Sequence, residues 1–153
     1  MGLTLEFLLG DDKKIIKGVR KIDFELLDEK YCITKKADFS LHISPKDLNT
    51  LSMSLSPFNK LKPMELRENL YLIINELDHG LFWIDKKWVN YISMINPDDL
   101  EKITYEWFKK MQNQYPNEIL EVTQSAIDSI KDLYELCQCA IKKRKTVFHY
   151  WCS

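Results

Sequence analysis

From Ile119 through Val122, Ala126, Ile127, Ile130, Leu133, Tyr134, Cys137 and Ala140 to Ile141, apolar residues recur every three or four positions. That is the period of a helix with one buried face, and from Asn117 to Lys143 it would run roughly 40 Å. The next residues, Thr146-Val147-Phe148-His149-Tyr150-Trp151-Cys152, read as a strand. One short strand leaves its own backbone groups unpaired and therefore needs a neighbour. The other end of the chain supplies one: Leu3-Thr4-Leu5-Glu6-Phe7 alternates apolar and polar side chains on a run ending near Gly10. The predicted fold is α+β, a helix-rich single domain over residues 1–153 whose small sheet joins the N-terminal and C-terminal strands. A chain of 153 residues buries enough surface to hold such a core without disulfides or a metal.

Between these ends the local signals predict mostly helices. Asp11 to Lys21 reads as a charged helix or turn with Ile15, Ile16 and Val19 on its apolar side, and Ile22 to Leu27 fits a strand and a helical face equally. Ser44-Pro45-Lys46-Asp47 combines a capping side chain, a proline suited to the first helical position and an acid at the positive helix end. A short helix through Leu48 and Leu51, reaching towards Leu55, should follow. Pro63 to Leu77 reads as a helix with Met64, Leu66, Leu70, Ile73, Ile74 and Leu77 in one apolar band, stopped by Gly80. Asp85 is positioned to cap a helix that turns Trp88, Val89, Tyr91, Ile92 and Ile95 inward. Asn96-Pro97-Asp98-Asp99 opens another, burying Leu100, Ile103, Trp107, Phe108 and Met111, and Tyr115-Pro116 closes it.

Charge excludes some classes of function. The 22 Lys and Arg against 23 Asp and Glu give no basic nucleic-acid domain, and Lys142-Lys143-Arg144-Lys145 reads as a solvated helix end. No run approaches the roughly 18 apolar residues of a membrane span, and the start lacks the positive region of a secretory leader. A cytoplasmic protein with neither nucleic-acid nor membrane partners is the expectation.

The metal reading fails on geometry. Cys137-x-Cys139 and His149-x-x-Cys152 offer four soft ligands. Residues two apart on a helix point about 200° away from each other, and His149 and Cys152 fall on opposite faces of a strand. Free thiols, with no metal and no cofactor, are expected. Cys32, between Tyr31 and Ile33, does not look like an activated nucleophile, and His42, between Leu41 and Ile43, reads as a strand residue. Acid–base chemistry has one candidate neighbourhood, Asp78 and His79 with Asp85 nearby, because histidine beside a carboxylate titrates near neutrality. The competing reading is a cap and turn at a helix end. Trp83, Trp88, Trp107 and Trp151 are many tryptophans for this length; they are first of all bulk for the core of a small α+β domain, and the competing reading is a partner-binding or ligand-lined surface. Trp83 and Trp88, with Tyr91, are the interface candidates, since residues five apart cannot both lie deep in one helical stripe.

The Met-Gly start followed by a strand, the stretch Ile84-Asp85-Lys86-Lys87-Trp88 and the closing Thr146-Val147-Phe148-His149-Tyr150-Trp151 resemble the small bacterial YfbM-like domain of unknown function. In that family an Asp-Lys-x-Trp element precedes a helix, and Asp85, Lys87 and Trp88 are the matching positions. The resemblance implies an apolar final strand after a long helix, and a bacterial origin. Where the family places a histidine, this chain has Asn90-Tyr91-Ile92-Ser93, and Lys-Lys-Arg-Lys replaces the Gly-rich sequence before the closing strand.

With no catalytic constellation, the expected function is a non-enzymatic protein-interaction domain, a toxin-neutralising immunity protein being one concrete version. The alternative is a small-ligand-binding protein or enzyme whose site includes Asp78, His79 or Asp85 beside Trp83 or Trp88. A protein partner is expected in the first case, and a homodimer through an aromatic patch or sheet edge is compatible with it.

Overall fold

The terminal strands do pair, and they form the middle of the sheet. The computed structural model describes residues 3–23 and 33–153. The ambiguous stretch from Phe24 to Leu27, with Tyr31 and Cys32, lies outside them. Strand β1 (Thr4–Gly10) runs antiparallel to β5 (Phe148–Cys152), with Leu5 opposite Trp151 and Phe7 opposite His149. Outside this pair lie β2 (Ile33–Asp38) against β1, then β4 (His79–Ile84) against β5 and β3 (Leu70–Asn75) against β4. The order is β2-β1-β5-β4-β3, antiparallel throughout.

Period-two alternation divides the strand residues between two layers. Leu5, Phe7 and Leu9 face the larger one, built from α2 (Pro45–Met53), α4 (Lys86–Ser93), α5 (Leu100–Gln114) and α6 (Gln124–Lys143). Leu8, Leu81, Phe148 and Tyr150 face α1 (Asp12–Lys21), which contributes Ile15 and Val19. The short α3 (Ser56–Asn59) links α2 to the stretch before β3.

Helix starts follow local chemistry. At α2 the Asp47 carboxylate accepts from the Ser44 amide at 2.8 Å, so the acid supplies half of the reciprocal cap that begins at serine. Asp85 Oδ1 accepts from the Lys87 amide at 2.9 Å and starts α4. Helix α5 begins after the Asn96-Pro97 turn, where Asn96 Oδ1 accepts from the Asp98 amide.

Four expectations are corrected. Pro63 to Leu77 is not a helix: a short 3-10 turn over Arg67–Asn69 leads into β3. Leu70, Leu72 and Ile74 fit a period of two as well as the apolar band fits 3.6, and antiparallel pairing with β4 selects the strand. Gly80, expected to stop a helix, lies inside β4. Helix α6 starts at Gln124, seven residues later than expected, with Thr123 as its cap. The side chain of Gln112 holds the intervening loop, donating to Tyr115 O at 3.1 Å and accepting from the Leu120 amide at 3.0 Å. His42 is not in a strand; it sits in a bend with φ 60° before α2.

Gly80 faces Trp151 across the β4–β5 pair, and a Cβ built there would lie 2.1 Å from Trp151 Nε1. The missing side chain is what lets the indole lie on the sheet. Gly80→Ala is expected to destabilise by about 1–3 kcal/mol through overpacking, read from urea unfolding. A change within experimental error would mean that the indole can move aside freely.

Candidate functional site

Among the described residues, four large apolar side chains stand exposed together on the β3–β4 hairpin. Tyr71 and Trp83 stand opposite each other on the two strands, their rings stacked at 4.0 Å and 12°. Both remain open to solvent, at 40% and 38% exposure. On the other face of the hairpin Leu72 is 56% exposed, and Leu77 at its tip is fully exposed. Direct cross-strand aromatic pairs stabilise a sheet modestly, yet here the pair is left on the surface.

Asp85 fixes the root of this platform. The Tyr71 hydroxyl donates to Asp85 Oδ2 at 3.0 Å, while the Asp85 amide donates to Asn69 O at 2.9 Å. The hydrogen bond from the Lys87 amide holds the Asp85 carboxyl below the usual carboxylate range, and the carboxylate in turn raises the Tyr71 phenol. Asp85 thus caps α4 and anchors an aromatic ring at once.

Asp78 and His79 lie at the opposite end of β4, in the hairpin turn rather than at a helix end. The turn closes with the Glu76 amide on His79 O at 2.9 Å. His79 Nδ1–H donates to Asp78 Oδ1 at 2.7 Å, and that bond lowers the exposed Asp78 carboxyl. A catalytic Asp–His pair needs the second imidazole nitrogen facing a substrate. Here His79 Nε2 is buried with no hydrogen-bond partner among the described residues. The six residues of β4 separate this pair from Asp85 by roughly 20 Å. The three residues singled out for acid–base work are therefore not brought together.

Trp88 and Tyr91 point into the larger core from α4. Trp88 is 2% exposed and Tyr91 wholly buried, the first donating to Ser52 Oγ at 2.8 Å and the second to Ser52 O at 2.5 Å. Of the three aromatic interface candidates, only Trp83 is at the surface. Trp83 and Trp88 diverge because one stands on a strand and the other on a helix, with the Asp85 cap between them.

The soft ligands stay apart. His149 lies on the larger-core side of β5 and Cys152 on the side facing α1, while burial pushes the Cys137 thiol up. Among the described residues, no three His, Cys, Asp or Glu side chains gather as a metal site.

The chain matches no protein-family model and no curated protein. Its structure is similar to that of YfbM from Escherichia coli. That crystal structure is of a protein of unknown function; the two chains share 13% identity over 98% of this chain and 99% of the other, with a TM-score of 0.44. Among the described residues no helix is long and apolar enough to cross a membrane.

Sequence reasoning missed Tyr71, Leu72 and Leu77 as surface residues because it placed them on or beside a helix. The legible signal was Leu70-Tyr71-Leu72-Ile73-Ile74, an uncharged run containing β-branched and aromatic residues.

Proposed function

We propose that this protein acts by holding a protein partner on the β3–β4 hairpin, with β3 as the strand to which an extended segment of the partner adds. One observation carries the reading, the contrast between the two edges of the sheet. At one edge β2 presents Lys35 and Lys36, charges of the kind that keep foreign strands from pairing. At the other, β3 carries no charge over its whole length and exposes Tyr71 and Leu72. Main-chain hydrogen bonds to a free edge supply affinity, and the Tyr71–Trp83 platform supplies an aromatic anchor beside it. Neutralising a toxin by occupying its surface is one form of this reading. A second copy of the chain at the same edge is another.

The test is a pull-down from the source cells with the intact chain and with Leu72→Lys, which gives β3 the protection that β2 already has. Leu72 is exposed, so the variant should melt within a few degrees of the parent. A stoichiometric partner whose affinity falls at least about tenfold in Leu72→Lys is the expected result. A partner that binds both forms equally overturns this placement of the surface. Light scattering that finds a concentration-dependent dimer, lost in Leu72→Lys, makes the partner a second copy.

A further inference from the structure

We infer that the cavity between Trp83 and the C-terminal end of α6 is a binding site for a small amphipathic carboxylate, a molecule with an apolar body and one anionic head. The cavity opens where β4 passes into α4 and where the chain leaves α6 for β5, and it encloses about 320 Å³. At roughly 30 Å³ for each water-sized group, that is room for about ten heavy atoms. Its walls are Trp83, Ile141 and Val147 among other apolar groups, and its cations are Lys86, Arg144 and Lys145. Among the described residues no acidic one lines it. Apolar walls with a few convergent charged groups are the usual make-up of a small-molecule site.

The three basic residues come from two separate parts of the chain and line one cavity. Lys86 opens α4, whereas Arg144 and Lys145 follow the last turn of α6. Among the described residues none of the three has a carboxylate within 4.0 Å. Asp12 feels the field of Lys145, but it lines a neighbouring cavity in which Trp83 also takes part.

Arg144 is fixed in place by the end of α6, as Ile22 and Lys60 are by the ends of α1 and α3. It caps α6 in the left-handed region, at φ 53° and ψ 48°, with its amide donating to Ala140 O and Ile141 O. That position favours glycine, and a residue with a Cβ there costs about 1 kcal/mol. Here the position carries an arginine that lines the cavity. A planar guanidinium with lysines beside it is well matched to a carboxylate head.

Octanoate, with ten heavy atoms, is the probe, and 1-octanol of the same chain length is its neutral control. A ¹H–¹⁵N titration is expected to show saturable shifts centred on residues 83–90 and 140–147, with octanoate bound at least about tenfold more tightly than octanol. Arg144→Gly relieves the left-handed backbone, so its melting temperature should hold or rise while octanoate affinity falls about tenfold. Ile141→Glu, at an exposed position, should abolish binding by placing an acid in the wall. Three results would each overturn the assignment: no saturable shift below about 5 mM, equal affinity for the alcohol, or unchanged affinity in Arg144→Gly.

Discussion

Replacing Trp88 by alanine is expected to lower the unfolding free energy by about 4 kcal/mol, whereas the same change at Trp83 should remain below about 1.5 kcal/mol. Trp88 is almost completely buried, its ring parallel to Phe7 at 5.8 Å and 9°, with Phe7 in turn edge-on to Phe39 at 5.5 Å. Its indole N–H donates to Ser52 Oγ, and the Ser52 hydroxyl itself donates to Met64 O. Truncation leaves an indole-sized space where β1, α2 and α4 meet, and those elements are held too firmly by the sheet and by the Tyr91–Ser52 bond to collapse into it. For a chain of this size the loss corresponds to a fall in melting temperature of roughly 8–16 °C. Urea unfolding followed by circular dichroism measures both variants. A Trp88→Ala loss below about 1 kcal/mol would contradict its place in the core. The result also governs how a partner is sought. A complex lost in Trp88→Ala reports unfolding, so Leu72 and Trp83 are the positions at which binding can be separated from folding.

Features read correctly from the sequence are those set by neighbouring residues. Ser44-Pro45-Lys46-Asp47, the Asp85 cap and Asn96-Pro97 each act within one turn of their own helix, and all three helices begin where these signals lie. The pairing of β1 with β5 was legible for a different reason: two short strands at opposite ends of the chain had unpaired backbones to satisfy. What could not be read was a choice made by a distant partner. Residues 70–74 fit both periods, and only the turn at Leu77–Asp78, which folds β4 back on them, decides for the strand. Residues 117–123 continue the helical period of α6, yet Ile119 lies exposed because Gln112 ties the loop to α5 instead. The candidate site suffered most from these errors. A helix ending at Leu77 would place Asp78, His79 and Asp85 near one another, whereas a strand carries them to opposite ends. Arg144, which lines the cavity, is left-handed, and residues with a β-carbon rarely adopt that conformation.

Lowering the pH from about 7.5 to 4.5 should remove about 2.5 kcal/mol of stability through His149 alone. His149 is buried between Phe7, at 4.8 Å, and Phe82, at 6.3 Å, and its Nδ1–H donates to Glu6 O at 3.1 Å. Burial strips water from the imidazolium and lowers the pKa to about 4; the Glu6 carbonyl offsets only part of this. The unfolded chain titrates near 6.5, so between these values it binds a proton that the folded chain refuses. Stability is therefore full above the unfolded value and is lost as the pH falls towards the folded one. Asp78 and Asp85, both lowered, act in the same direction but only below the ordinary carboxylate range. Asp12 and Asp132, raised chiefly by burial, act in the opposite direction near the bottom of the window. The variant that isolates the effect is His149→Gln, which keeps a donor for Glu6 O and does not titrate. Parent and variant are compared by urea unfolding at the two pH values. The parent should lose about 2.5 kcal/mol more than the variant, and equal losses would mean that the imidazole is charged inside the fold. A histidine kept neutral for packing lies on the face of β5 away from Cys152. Its conspicuous position in the closing strand reflects the core that β1 and β5 share.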